Sequence, residues 1–253
     1  MRIAVAGGTG MVGGLVVEAL RDAKQEPVVL ARSRGIDITT GMGLAQALVG
    51  VDAVVDVSNV TTTRRRTSVA FFTAGTENLL AAEQRAGIRH HVALSIVGVD
   101  RVDLGYYAGK RRQEELVLTG PVQGSVLRAT QFHEFAGQLL ARMHGPLAIV
   151  PHMRVQPVAA REVAAALAAL AVGPAVGMAP ELAGPQEHEL VDLARRVVHA
   201  HGQRRRVVGI WVPGAAGRAM TGGSLLPTGP GPRGSLTFEQ WLSASTPPIK
   251  PSR

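Results

Sequence analysis

Apolar positions in the first half of the chain follow two alternating rhythms. Short, nearly unbroken apolar runs at 2–7, 27–32, 52–59, 90–97 and 124–129 read as buried strands. Between them, 11–23, 43–50, 66–86 and 106–118 carry apolar residues at helical spacing, with Gly50 and Gly87 placed to stop two of those helices. Residues 35–38, GIDI, read either as an extra strand or as a loop. Strand–helix alternation predicts an α/β fold with a parallel sheet covered by helices on both faces. Right-handed crossovers make it a doubly wound Rossmann sheet.

After about residue 145 the texture changes. The pattern predicts a short strand and a turn, an Ala-rich helix over 160–171, a helical stretch over 187–201 and a strand over 206–212. Gly and Pro crowd 213–235, which predicts loops around one short helix, and 237–244 reads as a last helical turn. The expected organisation is a doubly wound region over 1–150, a small C-terminal α/β region over 151–245, and a fraying tail over 246–253.

Composition narrows the possibilities. With 46% hydrophobic and 18% charged residues, 253 residues can build a sizeable core. The absence of Cys excludes disulfides and thiolate metal sites. His90 and His91 open a strand, and His199 and His201 do not share a helix face, so no metal site is expected. The net charge of +8 is concentrated in Arg64–Arg66, Lys110–Arg112 and Arg204–Arg206. With only 4% aromatic residues there are few platforms for stacking bases, and nucleic acid is not the expected partner. No apolar run has the length of a membrane span, and the N-terminus does not read as a signal peptide, so a cytoplasmic protein is expected.

The first chemical motif is VAGGTGMVG, in which Gly7, Gly10 and Gly13 recur every third residue between a strand and a helix. Gly7 allows the tight turn, Gly10 the approach of a pyrophosphate, and Gly13 close packing of helix on strand. Gly7, Thr9, Gly10, Met11, Val12 and Gly13 are thus the expected phosphate loop, at the positive end of the first helix. Where a cofactor lacking a 2′-phosphate meets an acid at the end of the second strand, this chain has Arg32, Ser33 and Arg34. Guanidinium groups bind phosphate bidentately, which favours NADP(H) over NAD(H). Asp37 is placed to accept from the adenine amino group.

The segments GGTGMVG, ARSRG, VVDVSN, SIVGVDRVDLGYYAGKRRQEE, LRATQFHEF and QPVAAREVA together resemble the short-chain dehydrogenase/reductase superfamily, in its atypical, NmrA-like NAD(P)-binding branch. The resemblance implies that Val57, Ser58 and Asn59 lie along the cofactor ribose. It implies also that Ala129, Thr130, Gln131 and Phe132 pass beside the nicotinamide. Reductases of the superfamily use a Tyr-x-x-x-Lys pair with an upstream serine, a pattern that Tyr106, Lys110 and Ser95 fit. Four residues apart, Tyr106 and Lys110 share a helix face. Tyr106 would exchange a proton with the substrate oxygen, Lys110 would bind the ribose and lower the phenol pKa, and Ser95 would steady the oxygen.

The expected function is NADP(H)-dependent oxidation or reduction of a small carbonyl, quinone or related compound. Tyr107 competes with Tyr106 for the inward position. A non-catalytic redox sensor of the NmrA type competes with the enzyme, and the short C-terminal region argues against a sugar-nucleotide epimerase. His133 reads as a structural histidine, and Arg64–Arg66 as a solvated loop. The small-molecule partner is unnamed by the sequence, and the 66–86 helix, with Phe71, Phe72, Leu79 and Leu80, suits either a core or the face of a homodimer.

Overall fold

The computed structural model describes residues 1–245; the expected fraying tail lies outside them. The first half runs β1 (Arg2–Ala6), α1 (Met11–Asp22), β2 (Glu26–Leu30), α2 (Leu44–Ala47), β3 (Ala53–Asp56), α3 (Arg65–Ala86), β4 (His90–Ile96), α4 (Gly105–Thr119) and β5 (Gln123–Ala129). The second half adds α5 (Phe135–Ala141), β6 (Leu147–Pro151), β7 (Arg154–Val155), α6 (Ala160–Val172), β8 (Gly177–Met178) and β9 (His188–Glu189). It continues with α7 (Leu190–Ala200), β10 (Arg206–Ile210), α8 (Gly214–Thr221) and α9 (Phe238–Ser245).

Six strands form one parallel sheet in the order β2-β1-β3-β4-β5-β8. The order reverses between β1 and β3, which opens a crevice at their carboxyl ends where ligands bind in such sheets. Alternate residues of the strands feed two cores. Ile3 and Val5 face α1 and α6 through Val16, Leu20, Val163 and Leu167, while Ala4, Ala6 and Val54 face α2 and α3 through Leu44 and Leu79. A third core joins α5, β6, α7, β10 and α9 around Ala136, Val150, Leu193, Val207 and Phe238.

Two glycines bring α3 and α4 together. A Cβ on Gly105 would lie 2.2 Å from the Thr63 carbonyl oxygen, and one on Gly109 would lie 2.2 Å from Ser68 Oγ. Spaced four apart, they form a bare stripe on α4 into which the start of α3 sinks, and Ser68 Oγ then donates to the Tyr106 carbonyl at 2.8 Å. Beyond β5 the chain is stitched to later segments: Thr130 N donates to Leu182 O at 3.0 Å, and Thr130 Oγ1 to Gln156 O at 2.6 Å.

The structure departs from the periodicity in places. The apolar run 52–59 ends as strand at Asp56, because the Asp56 carboxylate turns back to accept from Ser58 N at 2.8 Å. The run 27–32 gives way after Leu30 to a single 3-10 turn over Arg32–Arg34. GIDI is a loop with one isolated antiparallel bridge, Asp37 to Met42. Helix α5 stands in a stretch for which the pattern named no element, and α3 begins within the arginine run, so that Arg65 and Arg66 lie on its first turn.

Candidate active site

The phosphate loop is shaped by close approach. Gly7 has φ +79°, and a Cβ there would sit 3.0 Å from the Ser58 backbone and the Val57 carbonyl oxygen. A side chain at 7 would therefore force the loop away from the end of β3. At Gly13 a Cβ would come within 2.1 Å of Gly7 O. Gly10 precedes α1 with extended backbone and, as glycine, brings no side chain to cap the helix. The first amides of α1 thus remain available to an anion, at the positive end of a 12-residue helix.

A cleft of about 590 Å³ opens beside this loop. It is lined by Gly7, Thr9 and Gly10 of the loop, by Val57, Ser58 and Asn59 after β3, and by Arg32 and Asp37 after β2. Ser33 and Arg34 stand exposed on the same turn as Arg32. Thr39 donates to Asp37 Oδ1 from both its hydroxyl, at 2.7 Å, and its amide, at 2.8 Å. Those bonds, the hydroxyl first, hold the Asp37 carboxyl below its ordinary range. Thr39 makes no bond to the second carboxylate oxygen. Asn78 of α3 secures this rim from below, donating to the carbonyls of Ile38 and Thr39 at 2.9 and 3.0 Å.

Tyr106 reaches the cleft at Asn59. Its hydroxyl donates to Asn59 Oδ1 at 2.7 Å, and burial, with Tyr107 and Asp56 adding to it, pushes the phenol well above its ordinary value. Tyr107 points elsewhere: it packs in the third core with Ala136 and Met153, and burial pushes it up to about 12. Lys110 is buried one turn further along α4. Its ammonium donates to Leu94 O at 2.5 Å and to Gln113 Oε1, and lies 4.7 Å from the centre of the Phe72 ring. Burial lowers its pKa to about 8 against the opposing pull of Asp56 and Glu114. Ser95, on the penultimate position of β4, is 4% exposed, and its hydroxyl has no partner among the described residues. A hydroxyl left so is a free donor at the carboxyl edge of the sheet.

Among the remaining expected residues, Ala129 belongs to the core on the α1–α6 side and Phe132 packs against it. Gln138 of α5 reaches Met11 Sδ at 3.5 Å, so the segment from 129 to 138 crosses from the end of β5 to the start of α1. His133 is structural: Nε2 meets Leu236 O at 3.0 Å and the ring lies among Phe238 and Trp241.

Two groups that sequence reasoning passed over hold the site. Arg128 of β5 grips Glu114 of α4 with two bonds of 2.8 and 2.7 Å and reaches Asp100 at 2.9 Å, which fixes α4 to the sheet. Asp56, 1% exposed, accepts from Ser58 N and, at 2.7 Å, from Gln113 Nε2. A carboxylate at the end of an otherwise apolar strand was the available signal for Asp56. For Gln113, within RRQEE on a helix of low amphipathicity, the sequence carried none.

No family model matches the sequence, and no curated protein matches it. Solved structures do. A short-chain dehydrogenase/reductase superfamily protein from Agrobacterium tumefaciens with bound NAD matches at TM-score 0.72 and 20% identity, over 97% of this chain and 96% of that one. The Citrobacter sp. triphenylmethane reductase complexed with NADP(H) matches at TM-score 0.73 and 19% identity, over 97% of this chain and all (100%) of that one. An NADPH-dependent quinone oxidoreductase from Escherichia coli, complexed with NADPH, matches at TM-score 0.70 and 18% identity, over 96% and 99% of the two chains. Together with the six-stranded parallel sheet, these likenesses establish that the chain has the fold of the short-chain dehydrogenase/reductase superfamily.

Proposed function

We propose that the protein binds NADP(H) and reduces a small carbonyl, quinone or related compound. The observation that carries this reading is the cleft itself. One cleft is lined by Arg32, by the glycine loop before α1 and by Asn59, which accepts from the Tyr106 hydroxyl. Arg32 and Arg34 would take the 2′-phosphate, the α1 amides the pyrophosphate and Asp37 the adenine amino group. A bound reduced nicotinamide would supply hydride chemistry at a substrate carbon, whose oxygen would then need a proton. Tyr106 is suited to donate it, because a phenol whose pKa is raised stays protonated at neutral pH. The Ser95 hydroxyl would donate to the same oxygen as negative charge grows there. Gln131 and Phe132, beside the edge that α5 closes, would exclude water. The reductases among the structural neighbours support the reading, as does the preference of the site for an acid over a base.

One observation favours a second reading, a sensor that binds the dinucleotide without turnover. Lys110 is engaged inward by Leu94 and Gln113, and no bond joins it to Tyr106 among the described residues. Calorimetric titration with NADPH, NADP⁺, NADH and NAD⁺, together with Tyr106→Phe, separates the two. The enzyme reading expects NADPH to bind at least about tenfold, or about 1.4 kcal/mol, better than NADH. It expects Tyr106→Phe to keep that affinity and to lose turnover of a carbonyl or quinone. Failure of all four nucleotides to bind would overturn the assignment; binding that distinguishes redox states, with turnover absent from the wild type, would establish the sensor.

A further inference from the structure

Beneath the cleft lies a buried polar chain that the proposed reaction does not yet use. Gln113 spans its middle: the amide nitrogen donates to Asp56 Oδ2 at 2.7 Å and the amide oxygen accepts from Lys110 Nζ. The three residues are 1%, 1% and 4% exposed for Gln113, Asp56 and Lys110. Asp56 lies opposite Ala93 in the β3–β4 register, so Leu94, whose carbonyl accepts from Lys110, is level with Val57 on the wall of the cleft. Asp56 also holds Ser58 N, and Ser58 lines that wall. An ammonium and a carboxylate are thus joined through one neutral amide whose two ends cannot be exchanged without breaking both bonds.

We propose that Gln113 is a positioning residue that holds Lys110 as a charged ammonium directly under the Val57–Asn59 wall, and that this charge strengthens the binding of the anionic dinucleotide. The inference rests on the cofactor reading given above. Leu94 O and Gln113 Oε1 take two of the three ammonium protons, and the Phe72 ring lies within cation–π reach. Without Gln113, the ammonium would keep one protein acceptor in a buried site, where an uncharged amine is favoured. The charged groups around it are Asp56 from β3 and Glu114 from α4, and Glu114 is itself taken by Arg128. The buried His91–Glu83 pair from β4 and α3 lies behind Asp56.

The chain has three lysines, Lys24, Lys110 and Lys250, so its lysine side chains can be followed singly by NMR after isotopic labelling, with Lys110→Met for assignment. In the free protein, the wild-type Lys110 signal should titrate near pH 8. Gln113→Leu should move the midpoint down and Gln113→Glu, which sets a carboxylate against the ammonium, should move it up. Opposite signs in two variants at one position are not expected of general damage to the fold. NADPH affinity, measured across the same pH range, should weaken as Lys110 loses its proton, about tenfold at most in the wild type, and its midpoint should move with each variant. A Lys110 midpoint at its ordinary value, or shifts of the same sign in both variants, would overturn the link between Gln113 and Lys110. A moved midpoint with NADPH affinity unmoved would overturn the role in binding. Absence of any nucleotide binding would instead sink the cofactor reading, while the lysine titration still decides the link. Should Gln113→Leu not fold, Gln113→Asn, too short to reach both partners, replaces it.

Discussion

Arg128→Met is the sharpest test of what holds α4, and with it Tyr106, in place. Arg128 makes two parallel bonds to Glu114, of 2.8 and 2.7 Å, and a third to Asp100 of 2.9 Å. The side chains of Arg128 and Glu114 are 16% and 9% exposed, whereas that of Asp100 is 50% exposed. The loss at Asp100 is therefore small, as for a surface pair, well under about 1 kcal/mol. The loss at Glu114 is large, because an almost buried carboxylate is left without its partner. Removing one member of a buried pair costs about 3–5 kcal/mol, and the residual exposure places this case near the low end, about 3 kcal/mol. In Glu114→Gln with Arg128→Met no charge is stranded, and the double variant should lie within about 1 kcal/mol of the wild type. Urea denaturation of the four proteins closes the cycle, with an expected interaction energy of at least about 2 kcal/mol, larger by whatever Glu114→Gln costs alone. Additive single losses, or an Arg128→Met loss below about 1 kcal/mol, would refute the reasoning that this pair fastens α4 to β5.

Other expectations follow from the site. Gly13→Ala sets a Cβ 2.1 Å from Gly7 O, so the loop must move by more than an ångström; NADPH affinity should fall at least about tenfold in calorimetry, with a stability loss of about 1–3 kcal/mol. Arg32→Ala should weaken NADPH about tenfold while leaving NADH within about twofold, since one guanidinium–phosphate contact is lost and only NADPH has it. Burial opposes the charge on His91, yet the charge and hydrogen bond of Glu83, and Asp56 beyond it, hold the imidazole above its ordinary value. A raised folded-state pKa contributes stability below the unfolded value of 6.5, and that contribution is lost as pH rises through the folded value. The wild type should therefore lose stability relative to His91→Gln as pH is raised from about 6 toward 9, and parallel profiles of denaturation midpoint for the two proteins would contradict the pairing.

Much of this architecture could be read from the chain. The apolar runs that became β1, β3, β4 and β5 are buried on both faces, so their sequence is continuous and hard to mistake. Gly7, Gly10 and Gly13 were legible because steric need falls on one residue type. What escaped is held by distant contacts. The two residues of β8 are a strand only because they pair with Ser125 and Val126, some fifty positions earlier, and Gly177 and Met178 have no strand pattern of their own. The two-residue strands β7 and β9 are the same case. Helix α5 is only seven residues long and follows the bent ATQFHE segment, too short for its period to show. At the site, the resemblance marked Tyr106, Lys110 and Ser95 as candidates but said nothing of where the Lys110 ammonium would point. That direction is set by Gln113 and Leu94, a helix neighbour and a strand carbonyl that no pattern links in advance.

The late arrival of α6 and β8 bears on how the chain emerges from the ribosome. When β5 has been synthesised, Ile3, Val5 and Leu127 still lack Val163 and Leu167 above them, and β5 still has an open edge. The bond from Thr130 to Leu182 requires more than fifty further residues. At about 5–20 residues per second, that interval lasts several seconds, during which a sheet with one apolar face covered by α1 alone is tethered to the translating complex. A nascent chain of this kind is a natural client for chaperones that shield apolar surface. Rare codons placed between β5 and β8 would lengthen the exposure, whereas the same codons placed far enough downstream for β8 to have left the ribosome would fall when that face is already closed.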